Sequence, residues 1–360
     1  MTRDELRQAA QLAFVASGQE VACGAVDELP LPLAQLLALD ASHPDVVEAH
    51  TGGLTGFVFR LRNDRGDWNI KRARSQSLVQ NPDGQTSFLN EVQRRCELEA
   101  LGDSCPAGVV RTRYASFRSG LIVSDWIPGT VAKTWNERTL GSLFDLLIDL
   151  YLHGFFEWDV SPGNLVDDGD RLWMFDFGYM YRFDPLVDLN SNGLAAPLFH
   201  PAERFETRNF FAVLLELERA SGQDEALRAF MLEKRIALDA YDRLLTTLRA
   251  RGASQDVLDW LSAIVLRWRN AMASDPAALY LAEGWRSHRL DLDDDLRGQT
   301  CTRRTLARTD WLIEAAGKHF DALTQLDALF WHDAGMSKAA LLDQLATDRA
   351  NAERWQVAGQ

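Results

Sequence analysis

Residues 154–178 read GFFEWDVSPGNLVDDGDRLWMFDFG, and no other stretch of the chain constrains its folding as tightly. The runs NLV and RLWMF are short strands, and Asp167, Asp168 and Gly169 between them are a tight-hairpin signal. Pro162 and Gly163 make a loop ahead of the first strand, with Asp159 and Asn164 at its two ends. Asp176 follows the second strand, whose apolar residues would hold it rigidly. One carboxylate, one amide and a second carboxylate are thereby tied to a single hairpin.

Upstream, the apolar period is two. Phe57, Phe59 and Leu61 alternate with smaller or polar partners, a turn is signalled at 63–66, and DWNIK resumes the alternation. Ser87 can cap a helix through FLNEVQRRCELEAL, where Leu89, Val92 and Cys96 recur at helical spacing. The runs VVRTRYASF and SGLIVSDWI read as two further strands. Thr134 and Glu137 suggest a capping box for an amphipathic helix over Leu140, Leu143, Phe144, Leu147, Leu150 and Tyr151, ending at Gly154. From about Asn209 onward nearly everything reads as helix.

This order predicts an α+β chain with two lobes: a small β-rich N-lobe with one helix, and a larger helical C-lobe with an extended helical C-terminal region. The expected divisions are an extension at 1–45, the N-lobe and hinge at 46–128, the C-lobe core at 129–208 and a helical extension at 209–360.

Transfer of a phosphoryl group needs a triphosphate held still, magnesium on hard oxygen ligands and an aligned acceptor hydroxyl. The stretch TGGLTGFV places Gly53, Gly56 and Val58 in a GxxGxV spacing on a hairpin, where bare backbone can approach phosphates. Lys71 lies on the next strand, within reach of the α- and β-phosphates. The chain has only five lysines against a large excess of arginine, so a lysine here is an unusual choice. A compact ammonium suits a point-charge role that a forked guanidinium does not. Glu91, on the following helix, can pair with Lys71 or, at i, i+4 spacing, with Arg95; Glu97 and Glu99 are further candidates on the same helix.

In this order the residues resemble the protein-kinase-like superfamily. DVSPGNLV is similar to the catalytic loop of that superfamily, Asp176-Phe177-Gly178 matches its DFG segment, and the resemblance covers about residues 50–205. It implies that ATP and Mg2+ are bound and that Asp159 is the catalytic carboxylate. It further implies that Asn164 and Asp176 hold the metal, and that Lys71, fixed by Glu91, clasps the phosphates. LIVSDWIPG resembles the hinge, which assigns adenine to backbone near Asp125 and Trp126. Pro201, Ala202 and Glu203 resemble the end of an activation segment.

Glu157 and Trp158 stand where histidine and arginine are usual, so the cation that reads a phosphorylated activation loop is missing; activity independent of such phosphorylation is expected. Ser161 replaces a common lysine and Thr51 the first glycine. The loop is also similar to those of UbiB-type atypical kinases and of aminoglycoside and choline kinase-type enzymes. The leading expectation is a protein serine/threonine kinase. The alternatives are a small-molecule kinase, a UbiB-like kinase, an AMP transferase and a nucleotide-binding scaffold without activity.

The formal net charge of −14 repels nucleic acid and anionic lipid; the partners that the resemblance implies are ATP and a protein or small-molecule acceptor. No run approaches the length of a membrane span. Cys23, Cys96, Cys105 and Cys301 form no CxxC pair and read as free thiols; with Asp4 and Glu5 where a signal peptide carries positive charge, they predict a cytoplasmic protein. The run RLDLDDDLRG lacks the glycine and glutamate of a calcium loop, having Leu296 and Thr302 there, and reads as a charged turn. Trp260, Trp268, Trp285, Trp311 and Trp331 read as packing residues, and His153, His200 and His332 as structural.

Overall fold

Alternation along two adjoining strands sends Phe59, Leu61 and Ile70 to one face of a sheet and leaves Lys71 on the other. A computed structural model of the chain describes residues 1–53, 55–79 and 81–357. The architecture is α+β, with the small antiparallel sheet, its single following helix and the helical remainder in the expected order. Among the described residues no helix is long and apolar enough to cross a membrane.

The chain divides into two compact units: Met1–Thr134, Asp145–Asp159 and Gly163–Ala196 in the first, and Trp135–Phe144, Val160–Pro162 and Pro197–Gln360 in the second. The first unit begins with helix α1 (Arg3–Ser17), strand β1 (Ala22–Gly24) and helix α2 (Leu33–Leu37). There follow β2 (Val46–His50), β3 (Gly56–Asn63), β4 (Gly66–Ala73), α3 (Pro82–Glu99), β5 (Thr112–Ser116) and β6 (Leu121–Asp125). These strands form one antiparallel sheet in the order β1-β5-β6-β4-β3-β2. Phe88 and Val92 of α3 cover one face through Ala115 and Ile122. Leu29, Leu36 and Leu39 cover the other, over Phe59, Leu61, Ile70, Leu121 and Val123. The N-terminal extension, whose role the sequence did not reveal, is therefore part of the core.

Beyond the sheet lie β7 (Thr130–Val131), α4 (Glu137–Leu152), β8 (Phe155–Glu157), β9 (Leu165–Asp167), β10 (Leu172–Met174) and β11 (Met180–Arg182). The hairpin β9–β10 forms around Asp168 and Gly169, and β9 also pairs with β7. Strand β11 pairs with β8, setting Met180 opposite Glu157. The chain that follows Asp176 is thus fastened to the chain that precedes Asp159.

The second unit contains α5 (Pro201–Phe205), α6 (Phe211–Ser221), α7 (Gln223–Ala250), α8 (Gln255–Ser274), α9 (Pro276–Gly298), α10 (Arg303–Gln325) and α11 (Lys338–Arg354). Its apolar core gathers Trp285, Leu292, Leu312, Leu323, Leu341 and Leu345. A second, ionic core joins the fully buried Lys234 to Glu206, and Arg286 to both Glu206 and Glu283. Burial pushes the neighbouring Glu233 carboxyl up to about 8 despite the Lys234 ammonium beside it.

Four expectations need correction. Helix α3 starts at Pro82, before Ser87, because Asn81 accepts from the Gly84 amide at 2.7 Å and Pro82 presets the first helical φ. Helix α4 is capped by Asn136, which trades bonds with Thr139 at 2.8 and 3.1 Å, and Thr134 lies before that cap. The run RLDLDDDLRG lies inside α9, where Asp291 is buried and paired with Arg208 and Arg308. Trp331 is half exposed, whereas Trp268 and Trp285 are fully buried.

The cysteine reading also changes. Strand β1 and helix α3 bring the Cα atoms of Cys23 and Cys96 to 5.3 Å, and the two are joined as a disulfide. The expectation of a cytoplasmic protein loses the support of these two thiols. Cys105 and Cys301 remain thiols, pushed up to about 11 by burial. The bridge closes a loop of 73 residues, so its reduction is expected to cost about 4 kcal/mol of stability. Denaturant melts with and without dithiothreitol measure this, and Cys23→Ser should reproduce the reduced value. Four titratable thiols in the unfolded, unreduced protein would show that the bridge is not made.

Candidate active site

Lys71 is 6% exposed, on the α3 side of β4 and opposite Val58 of β3. Its Nζ donates to Glu91 Oε2 at 2.6 Å and to Asp176 Oδ2 at 2.8 Å. Burial works against the charge, but the Asp176 and Glu91 carboxylates outweigh it and hold the ammonium above its ordinary range. Burial likewise pushes the Asp176 carboxyl up, and the adjacent ammonium reverses this to leave it below its ordinary value. Both groups are therefore charged at neutral pH.

Glu91 is 1% exposed and makes both pairings that its spacing allowed: Oε2 accepts from Lys71 and Oε1 from Arg95 Nε at 2.9 Å. The other candidates on α3 are used elsewhere, Glu97 with Arg94 and Glu99 on the Thr112 amide.

Asp159 and Asn164 meet across their loop. Asn164 Nδ2 donates to the Asp159 carbonyl at 2.9 Å and to its Oδ2 at 3.2 Å. With the nitrogen so engaged, Oδ1 is the Asn164 atom suited to a cation. Glu157 is buried, and its Oε1 accepts the Asp159 amide at 2.7 Å. Burial, with the Asp159 and Asp176 carboxylates adding to it, pushes the Glu157 carboxyl well above the ordinary range. Where a histidine stands in the resemblance, this chain has a buried carboxyl holding the loop.

Bare backbone is required in the glycine turn. A Cβ on Gly53 would lie 2.7 Å from the Gly56 carbonyl oxygen, and one on Gly56 would lie 2.8 Å from the Arg72 carbonyl and 3.5 Å from the Lys71 stem. Arg74 staples the turn by donating to the Thr51 and Gly53 carbonyls at 2.6 and 2.7 Å. Leu54 of the TGGLTGFV stretch, like the last three residues of the 209–360 extension, lies outside the described residues.

The backbone assigned to adenine is partly used within the sheet. The Asp125 amide donates to Arg111 O and the Trp126 amide to Asp67 O, at 3.3 and 3.2 Å. The Asp125 carboxylate is paired with Arg113, and Arg60 stacks 4.4 Å from the Trp126 ring. The amides of both residues are thus engaged within the first unit.

Lys71, Glu91 and Asp176 form one contiguous group and Asp159 with Asn164 another, linked through Glu157 and the β8–β11 pairing. Among the described residues no cluster of three or more His, Cys, Asp or Glu is suited to a metal. Asn164 and Asp176 nonetheless offer hard oxygens of the type magnesium takes, one of them anionic.

No family model matches the sequence, and no curated protein matches it. Among solved structures, the bifunctional kinase-methyltransferase WbdD aligns at 16% identity over 53% of this chain and 46% of its own, with a TM-score of 0.33. WbdD co-crystallised with the kinase inhibitor LY294002 aligns over 62% of this chain and 45% of its own, at 16% identity and a TM-score of 0.32. Vaccinia related kinase 3 aligns at 11% identity over 42% of this chain and 56% of its own, with a TM-score of 0.27. The chain spans less than half the length of the WbdD structures it matches.

Proposed function

We propose that this chain is an ATP- and magnesium-dependent phosphotransferase of the protein-kinase-like type, moving the γ-phosphate to a hydroxyl, with serine or threonine of a protein as acceptor. The observation that carries the reading is Lys71 Nζ, buried and bonded at once to Glu91 and Asp176. A buried ammonium between two acids from a distant helix and loop is costly to assemble as a mere structural tie. Beside a triphosphate it becomes the cation that fixes the phosphates.

In this reading residues 46–128 supply the glycine turn, with Gly53, Gly56 and Val58, the Lys71–Glu91 pair and an adenine edge near Asp125 and Trp126. Residues 129–208 supply the reacting groups, 1–45 act as an extension that completes the sheet, and 209–360 are a helical extension. Asn164 Oδ1 and Asp176 would hold Mg2+, which when bound neutralises charge on the β- and γ-phosphate oxygens. Asp159 orients the acceptor hydroxyl and takes its proton as the new P–O bond forms and the bond to ADP breaks. Asn164 keeps that carboxylate in place.

Ser161, in place of the usual lysine, favours a second reading with a small-molecule acceptor. Magnesium-ATP is expected to raise the melting temperature, since a ligand bound only by the folded chain stabilises it. Labelled ATP should then transfer phosphate to generic protein substrates. Labelling of a hydroxylated metabolite panel alone would move the acceptor to the second reading, and transfer of AMP would change the reaction. Absence of both stabilisation and turnover would remove the phosphotransferase altogether.

A further inference from the structure

Helix α3 does more than carry Glu91. The residue before it, Asn90, is 1% exposed, and its Nδ2 donates to the carbonyls of Phe177 at 3.3 Å, Gly178 at 3.0 Å and Met180 at 2.7 Å. Arg95, one turn onward and also 1% exposed, donates Nε to Glu91, Nη1 to Thr112 Oγ1 at 3.1 Å and Nη2 to the Phe175 carbonyl. Its guanidinium lies 5.0 Å from the centre of the Phe177 ring. Phe175 precedes Asp176, and the three carbonyls bonded by Asn90 follow it. The backbone is therefore gripped on both sides of Asp176, whose carboxylate meets Lys71.

The bonding is directional. A single amide nitrogen has two hydrogens, and three buried carbonyls converge on it, so loss of Asn90 would strip donors from a segment with little access to water. Arg95 also balances charge: two cations, Lys71 and Arg95, face two carboxylates, Glu91 and Asp176. Because Glu91 is shared, Lys71 can turn toward an incoming phosphate without leaving Glu91 unpaired.

We infer that Asn90 and Arg95 are positioning residues that hold Asp176 opposite Lys71 before any nucleotide arrives, so that the site is built in advance of its ligand. What Asp176 does there rests on the proposed phosphotransferase; where it is held does not. The arrangement gives a physical basis for activity without phosphorylation of a loop, because α3 itself supplies the cation and the donors that order the segment.

The test uses the full chain and the variants Asn90→Leu, Arg95→Met and Arg95→Lys. Hydrogen exchange without nucleotide should quicken about tenfold in residues 176–181 of the first two, with β3 to β6 changed less than about threefold. The gain in ATP affinity on adding magnesium should fall about tenfold, while affinity without magnesium stays within about threefold. Arg95→Lys, which keeps the charge at Glu91 but lacks the fork, should recover part of both. Should Asn90→Leu not fold, Asn90→Ser gives the milder change.

Exchange that rises uniformly over the first unit, or unchanged exchange with an unchanged magnesium effect, would overturn the inference and leave a merely structural helix. A wild-type chain that binds no magnesium-ATP would instead overturn the phosphotransferase, with the exchange result still deciding the positioning role.

Discussion

Asp176→Asn is expected to lower magnesium-dependent phosphoryl transfer by about 1000-fold, equivalent to about 4 kcal/mol of transition-state stabilisation. The substitution keeps the shape of the side chain and an oxygen able to accept from the Gly178 amide, now 3.2 Å from Asp176 Oδ1. What it removes is the anionic oxygen that a divalent cation would share with the phosphates. The Asp176 side chain is 35% exposed, so water can answer part of the lost charge, and Lys71 keeps Glu91. Stability should accordingly fall by only about 1 kcal/mol. ATP binding measured without magnesium should persist, separating loss of the metal from loss of the nucleotide. Near-normal magnesium-dependent turnover in this variant would remove Asp176 from the reaction.

The legible parts of the structure are those where local chemistry and tertiary packing agree. Alternation through Phe57, Phe59 and Leu61 and again through Ile70 marks strands because the sheet is covered on both faces, and each side chain must choose one of them. The hairpin of β9 and β10 follows from Gly169, whose φ of +102° suits a residue without a Cβ. Helix starts were less legible. Asn81-Pro82 and Asn136 cap α3 and α4, whereas the sequence reading favoured Ser87 and Thr134, residues equally able to cap. Several capping types near one boundary leave the choice to packing.

Long-range pairings were illegible for a different reason. Nothing in the spacing of Cys23 and Cys96 shows that β1 adds to the sheet edge beside α3. The same holds for the N-terminal segment: Leu29, Leu36 and Leu39 are apolar in the sequence, but only the uncovered face of β3, β4 and β6 gives them a partner. At the site, spacing offered Glu91 either Lys71 or Arg95. A carboxylate has two oxygens, and the structure uses both. Asn90 was missed because an amide on a helix carries no signal until the carbonyls it bonds, 87 to 90 residues away, are in place.

Asp159→Asn is expected to lower kcat by about 1000-fold while leaving the dissociation constant for magnesium-ATP within about threefold. Asn164 Nδ2 already holds the Asp159 carbonyl, and an asparagine at 159 can still offer it the side-chain oxygen, so the loop should keep its shape. The Asp159 amide would still donate to Glu157, since that bond is made by the backbone. The variant therefore removes one property, the ability to take a proton from an acceptor hydroxyl, and its melting temperature should stay close to that of the wild type. This pattern differs from Asp176→Asn, where the magnesium-dependent share of nucleotide affinity is lost as well. It also separates catalysis from scaffolding, because a nucleotide-binding scaffold would bind magnesium-ATP yet give no turnover for Asp159→Asn to abolish. Transfer that survives in Asp159→Asn at the wild-type rate would mean that the proton leaves by another route.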